Sequence, residues 1–178
     1  MKKFYSLLLT IIAVFTLAGC GDSVGEKLAE SIANSIFYSH DIIEIPDHNT
    51  TGISSPITVD SAIISITKME VLVDINHTRV GDLRVYLKSP AGRVVKLSIN
   101  RGGNGVNFNP VFIDTADKSI KDVRSGDKPF SSDYRPEEPL SNFNGENPNG
   151  VWNLIVYDDA AGEIGKIKEW YLFIFGNK

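Results

Sequence analysis

Any chemistry in this chain would have to come from three histidines, one cysteine and a set of loop carboxylates. A Ser-His-Asp triad is recognised by geometry, so the order of these residues along the chain does not exclude one. Yet no serine sits in a glycine-rich nucleophile context of the G-x-S-x-G kind. H-E-x-x-H, a Walker A loop and G-x-G-x-x-G do not occur either. Gly102-Gly103-Asn104-Gly105 lacks the lysine and the helix start that phosphate binding needs, and it reads as a turn. His40 and His48 flank the entrance to a strand-rich region and read as solvated loop residues, whereas His77 ends a strand pattern. No catalytic residue is assigned. The carboxylates offer more. Asp47, Asp114 and Asp117 lie in loops, and Asp74, Asp82, Asp158 and Asp159 add acidic positions in loops or at strand ends. Ca²⁺ takes six to eight oxygen ligands, so such residues can hold it; the alternative is that they cap turns without metal.

The single cysteine leaves no internal disulfide and no cysteine-based zinc site. Its position is specific. Lys2 and Lys3 precede an apolar run from Phe4 to Ala18. That run is shorter than the roughly twenty residues of a relaxed transmembrane helix, and it matches the charged and apolar regions of a secretory leader. It ends in Leu17-Ala18-Gly19-Cys20, which resembles the lipobox of bacterial lipoproteins. The resemblance implies cleavage before Cys20, a lipidated sulfur and a membrane anchor of several acyl chains, each buried CH₂ contributing about 0.8 kcal/mol. Gly21 follows the cysteine, and Asp22 stands one place later than the acid associated with inner-membrane retention. The expectation is therefore a cell-envelope protein, more in keeping with the outer than the inner membrane.

The elements that must position these residues follow from pattern. Hydrophobic residues at 42% and charged residues at 22% describe a globular chain long enough for one domain of ordinary size. A net charge of −4 argues against a nucleic-acid binder, so no nucleic acid is expected as a partner. Val24, Leu28, Ile32 and Ile36 recur at helical spacing and predict a short amphipathic tether from about Ser23 to Phe37. Beyond His40 the texture changes to short β-favouring segments divided by Gly, Pro, Asn and Asp clusters. Ile57–Val59 and Ala62–Ile66 read as strands, followed by a strand carrying Val71, Val73 and Ile75. Leu83, Val85 and Leu87 alternate with polar residues and, across the turn Ser89-Pro90-Ala91-Gly92, form a hairpin with Val95, Leu97 and Ile99. Trp152, Leu154 and Val156 make one further period-two face, and Trp170, Leu172 and Ile174 another. Gly81 and Gly92 suit turns with positive φ, and Asp82 suits an acceptor of backbone N–H groups inside its turn. From Asp114 to Gly150 there is little strand pattern, although Leu140 and Phe143 suggest a helical turn that reaches the core. Many short strands without crossover helices predict an antiparallel sandwich or barrel.

At this point the residues become specific. Ile45-Pro46-Asp47, Asp74-Ile75-Asn76-His77-Thr78, Gly81-Asp82-Leu83 and Ser89-Pro90-Ala91-Gly92 come in order. They are followed by Phe143-Asn144-Gly145-Glu146, Asn149-Gly150-Val151-Trp152, Asp158-Asp159-Ala160-Ala161-Gly162, Gly165, Trp170 and Leu172. The series resembles the P domain, or Homo B domain, of proprotein convertases and bacterial subtilisin-like proteases, over about residues 42 to 176. The resemblance implies an all-β, antiparallel jelly-roll sandwich of about eight strands. It divides the chain into a leader over 1–19, a lipidated and partly helical tether over 20–41, and the P domain over 42–178. It also implies structural roles for His77, Asp82, Trp152, Asp158 and Trp170. Because some bacterial relatives carry calcium in this domain, it points to Asp47, Asp114 and Asp117 as candidate ligands of a structural Ca²⁺ ion. The family's acids are often paired where Asp114 and Asp117 stand apart. The functional expectation is a non-enzymatic, lipid-anchored module that binds or stabilises another protein, a subtilisin-like serine protease being the first candidate. Its alternatives are a calcium-stabilised structural lipoprotein and a subunit that contributes to serine-type proteolysis.

Overall fold

The computed structural model describes residues 35–125 and 132–178. The leader, Cys20 and the tether as far as residue 34 lie outside the described residues, as do residues 126–131 of the polar tract Lys121–Ser132. Residues Phe37–Lys178 form one compact unit. Its strands are β1 (Ile36–Ser39), β2 (Ile43–Ile45), β3 (Ile53–Val59), β4 (Ser65–His77), β5 (Leu83–Lys88), β6 (Val94–Ile99), β7 (Val111–Phe112), β8 (Asp133–Tyr134), β9 (Gly150–Asp158) and β10 (Gly165–Asn177).

These strands make two sheets. One runs β1-β10-β4-β7-β8, with β2 also pairing β10, and the other runs β3-β9-β5-β6. The long strands β4 and β10 pair antiparallel from Gly165 opposite His77 to Asn177 opposite Ser65. The second sheet is antiparallel throughout, and β5 with β6 is the expected hairpin. Alternation explains the sandwich. On β9 the inward residues Trp152, Leu154 and Val156 are buried, as are Trp170, Leu172 and Ile174 on β10 and Leu83, Val85 and Leu87 on β5. Each tryptophan also satisfies its indole. Trp152 Nε1 donates to the Pro148 carbonyl at 2.8 Å, and Trp170 Nε1 donates to Ser55 Oγ at 2.9 Å across the two sheets.

The fold differs from expectation in four places. There are ten strands among the described residues, not about eight, because β7 and β8 are two residues each and too short to carry a period. Ile36 and Phe37, expected at the end of the tether helix, open β1, and Phe37 packs against the core; both residue types favour strands. The sandwich therefore begins before residue 42. The strand expected over Ala62–Ile66 starts only at Ser65. The preceding turn is held by Asn149, whose side-chain oxygen accepts from Ser61 N–H while its amide donates to the carbonyls of Ser61 and Ile63. Finally, the long stretch before Gly150 is structural. It contributes β8, which pairs parallel to β7, and buries Ile120, Tyr134, Leu140 and Phe143. The turn Leu140–Phe143 is 3₁₀-helical as expected, and Phe143 meets Trp152 edge-to-face with centroids 5.0 Å apart.

Candidate functional site

Of the residues singled out by sequence, His77, Asp82, Asp158 and Asp159 come together at one end of the sandwich, where β4 stops, β5 begins and β9 turns towards β10. His77 is the last residue of β4 and Asp158 the last of β9. Their side chains are 0% exposed, with His77 Nε2 3.4 Å from Asp158 Oδ2. Nδ1 of His77 accepts the Arg79 N–H at 3.1 Å. The ring proton therefore belongs on Nε2, facing the carboxylate. Asp158 Oδ1 accepts the Ala160 N–H at 3.2 Å, so the pair braces the loops after both strands. Gly165, opposite His77 on β10, is required by space. A Cβ there would lie 2.4 Å from the His77 ring and from the Asn76 carbonyl.

Asp82 sits beside this pair and corrects one expectation. It was expected to accept backbone N–H groups within its turn. Instead Oδ1 faces Arg79 Nε at 3.4 Å, and the buried Oδ2 has no hydrogen-bond partner among the described residues. The turn is closed by main chain. Asp82 N–H donates to the Arg79 carbonyl, and the Asp82 carbonyl accepts the Asp159 N–H at 2.9 Å. Burial pushes the Asp82 carboxyl above its ordinary value; Arg79 opposes the shift and Asp158 reinforces it. Gly81 also departs from expectation. Its φ is not positive, and it is glycine because a Cβ would come within 2.7 Å of the Gly103 main chain. Gly102-Gly103-Asn104-Gly105 is thus a packing partner: Gly103 and Gly105 carbonyls accept from Gly81 and Val80 N–H at 2.9 and 2.8 Å.

Asp159 faces outward. Its carboxylate receives Arg84 Nε at 2.6 Å and Arg84 Nη2 at 2.7 Å, and Arg84 lies 4.4 Å over the Tyr157 ring. This bidentate pair holds the Asp159 carboxyl below its ordinary value, with burial opposing, and raises Arg84.

The three proposed calcium ligands do not fit one ion. The carboxylate of Asp47 accepts Gly162 N–H at 2.9 Å. That of Asp114 accepts Leu140 N–H at 2.7 Å and Ser141 N–H at 2.8 Å, so it caps the 3₁₀ turn. Asp117 is exposed, and its main-chain oxygen accepts from Arg135 at 2.9 Å. Ile45 and His77 both pair Gly165, while Phe112 pairs Val71. Six residues of β4 therefore separate the Asp47 end from the Asp114 end, roughly 20 Å at strand rise. Ligands of one Ca²⁺ ion lie within about 2.6 Å of it. Among the described residues no group of three His, Cys, Asp or Glu side chains could hold a metal.

Nor does the His77–Asp158 pair serve hydrolysis. A general base needs one ring nitrogen oriented by an acid and the other free to take a proton from a nucleophile. Here the second nitrogen is occupied by a main-chain N–H and the ring is fully buried. His40 lies on the outer face of the first sheet, 2.7 Å from the Tyr171 hydroxyl and 3.4 Å from Glu169, stacked on Tyr38. His48 is exposed at positive φ.

Comparison with known proteins decides the family. Residues 66–174 match the description Proprotein convertase P-domain, more than half of the chain. The chain belongs to the proprotein convertase P-domain family. This P-domain is 32% identical over 130 residues to leupeptin-inactivating enzyme 1 of Streptomyces exfoliatus, covering 72% of the chain and 23% of that protein. It is also 32% identical over 127 residues to the extracellular serine protease of Aeromonas sobria, covering 68% of the chain and 17% of the relative. The chain thus spans about a fifth of the length of these two relatives. The crystal structure of the Aeromonas sobria serine protease with its chaperone ORF2 superposes with a TM-score of 0.51 at 20% identity, covering 86% of this chain and 29% of that one. That likeness establishes the shared fold.

Proposed function

We propose that this P-domain is a non-catalytic module, anchored to the cell envelope through lipid on Cys20, that binds or stabilises a subtilisin-like serine protease. The observation that carries the reading is the share of each relative covered. In the two relatives the matching region is 23% and 17% of a much longer protein, one of them named a serine protease. That share is what supports a module working beside an enzymatic partner. The buried, fully engaged His77 supports a module without its own hydrolytic centre. The leader pattern ending at Cys20 supports the anchor, and the charge balance supports a protein over a nucleic acid as partner. Among the described residues no helix is long and apolar enough to cross a membrane.

The test is in-cell crosslinking of a C-terminally tagged protein, followed by identification of what it captures. A subtilisin-like protease should be recovered. A crosslinked set without any protease would end this reading. In parallel, Cys20→Ser should move the protein out of the membrane fraction, and retention there at mature size would refute the anchor. The purified protein should not cleave casein. Turnover that survives purification and disappears with one Ser or His substitution would make it an enzyme.

A further inference from the structure

The buried histidine that hydrolysis cannot use is well placed for another task. Its two ring nitrogens have different partners. Nε2 faces Asp158 Oδ2, while Nδ1 accepts from the Arg79 N–H at 3.1 Å. A second proton on this ring has only Nδ1 to occupy, and there it would meet an N–H head-on. Proton uptake and the Arg79 hydrogen bond therefore exclude each other.

Charged groups surround the ring. Asp158 faces the ring from β9, and Asp82 lies beside it on the turn that begins at Arg79. Glu163, in the loop between β9 and β10, adds a third acid within electrostatic reach of Asp82, and Arg79 faces this group as a cation. Opposite charge at this range favours the charged imidazole, whereas burial disfavours it. Histidine is the side chain whose charge changes between mildly acidic and neutral pH.

What the Arg79 bond holds is an assembly of loops. Val80 and Gly81 N–H groups donate to Gly105 and Gly103, Asp159 N–H donates to the Asp82 carbonyl, and Thr78 N–H donates to Ile164. The turn over residues 79–82 is thus the piece on which the loops over 102–105 and 159–164 rest. The strands have no such dependence, because a charged His77 keeps Asp158 as its partner.

We propose that His77 is a proton-operated latch: a proton taken up at Nδ1 removes the acceptor that holds Arg79, and the 79–82 turn loosens together with the two loops stacked on it. The module presents a tight loop end at neutral pH and a loose one in acid, so contacts made through that end depend on pH.

The experiment uses the full chain. Nitrogen-15 spectra report the protonation of the His77 ring, and amide exchange, corrected for its intrinsic pH dependence, reports the loops between pH 8 and pH 5. At pH 8 the ring should be the neutral Nε2–H form. On acidification Nδ1 should gain a proton, and protection of the Arg79 and Gly81 amides should fall together, by roughly two- to tenfold for one hydrogen bond lost. Amides of β9 and β10 should not change. His77→Asn places a side-chain oxygen near the Nδ1 position and cannot titrate, so its Arg79 protection should stay flat with pH. Two results overturn the proposal: a His77 ring that stays neutral at pH 5, or an equal loss of protection in His77→Asn. If the variant does not fold, the spectra and exchange of the unmutated chain decide alone.

Discussion

Asp82 is a carboxyl group 7% exposed and half-satisfied, and burial opposes its charge, so its replacement by asparagine should stabilise the protein at neutral pH. Asparagine keeps the shape and removes the charge. The gain is removal of a buried charge that has no partner at Oδ2, about 1–3 kcal/mol, although the amide still leaves a polar atom unpaired there. The loss is the contact with Arg79, whose side chain is 49% exposed; such pairs contribute about 0–1 kcal/mol. The net expectation is about 1 kcal/mol, or roughly 3 °C in melting temperature for a domain of this size. The pH dependence gives the sharper test. The folded-state value of Asp82 is raised, so the native state holds the proton more tightly than the unfolded chain does. Below the ordinary value of 3.8 both states are protonated and the charge penalty is gone. As pH rises through the raised folded value, the unmutated protein loses stability that Asp82→Asn retains. Melting curves of the two proteins should therefore separate at pH 7 and converge near pH 4. A variant that is less stable at pH 7, or a difference independent of pH, would refute the argument that burial of charge dominates at this site.

Three further outcomes follow from the geometry. Trp170→Phe removes the donor to buried Ser55 and leaves a void between the sheets; thermal or urea unfolding should show a loss of about 2–4 kcal/mol. Asp114→Ala should cost about 1 kcal/mol by uncapping Leu140 and Ser141, equally with calcium and with chelator, and a loss seen only with calcium would restore the metal role. Asp159→Asn should cost about 1 kcal/mol at pH 7 by weakening the bidentate pair with Arg84. Because the folded value of Asp159 is depressed, that contribution is present above the ordinary 3.8 and disappears as pH falls through the folded value. Melting temperatures compared at pH 7 and pH 3 check it.

Most of the sandwich is legible in the sequence. The period-two faces of β5, β6, β9 and β10 are local patterns, and burial of alternate residues is what such a pattern means. Trp152 and Trp170, and the 3₁₀ turn that buries Leu140 and Phe143, were readable for the same reason. The order of the Gly, Asp and Trp blocks was enough to show the family resemblance.

Tertiary structure decided whatever depends on a partner far away in the chain. β7 and β8 become strands only because β4 and β7 offer them a neighbour. Asp114 caps a turn 26 residues onward, and Asn149 braces one 88 residues back, so neither role leaves a local signal. Gly81 needs space against Gly103, not a positive φ, and only the fold brings those loops together. The same holds for the polar end of the sandwich. His77 and Asp158 are 81 residues apart in sequence, and their isolation from water makes one a proton donor and the other its acceptor. Residue type announced that these side chains can carry charge. Burial and the direction of a single main-chain N–H at Arg79 determine which ring nitrogen of His77 carries its proton, and burial pushes the Asp82 carboxyl above its ordinary value.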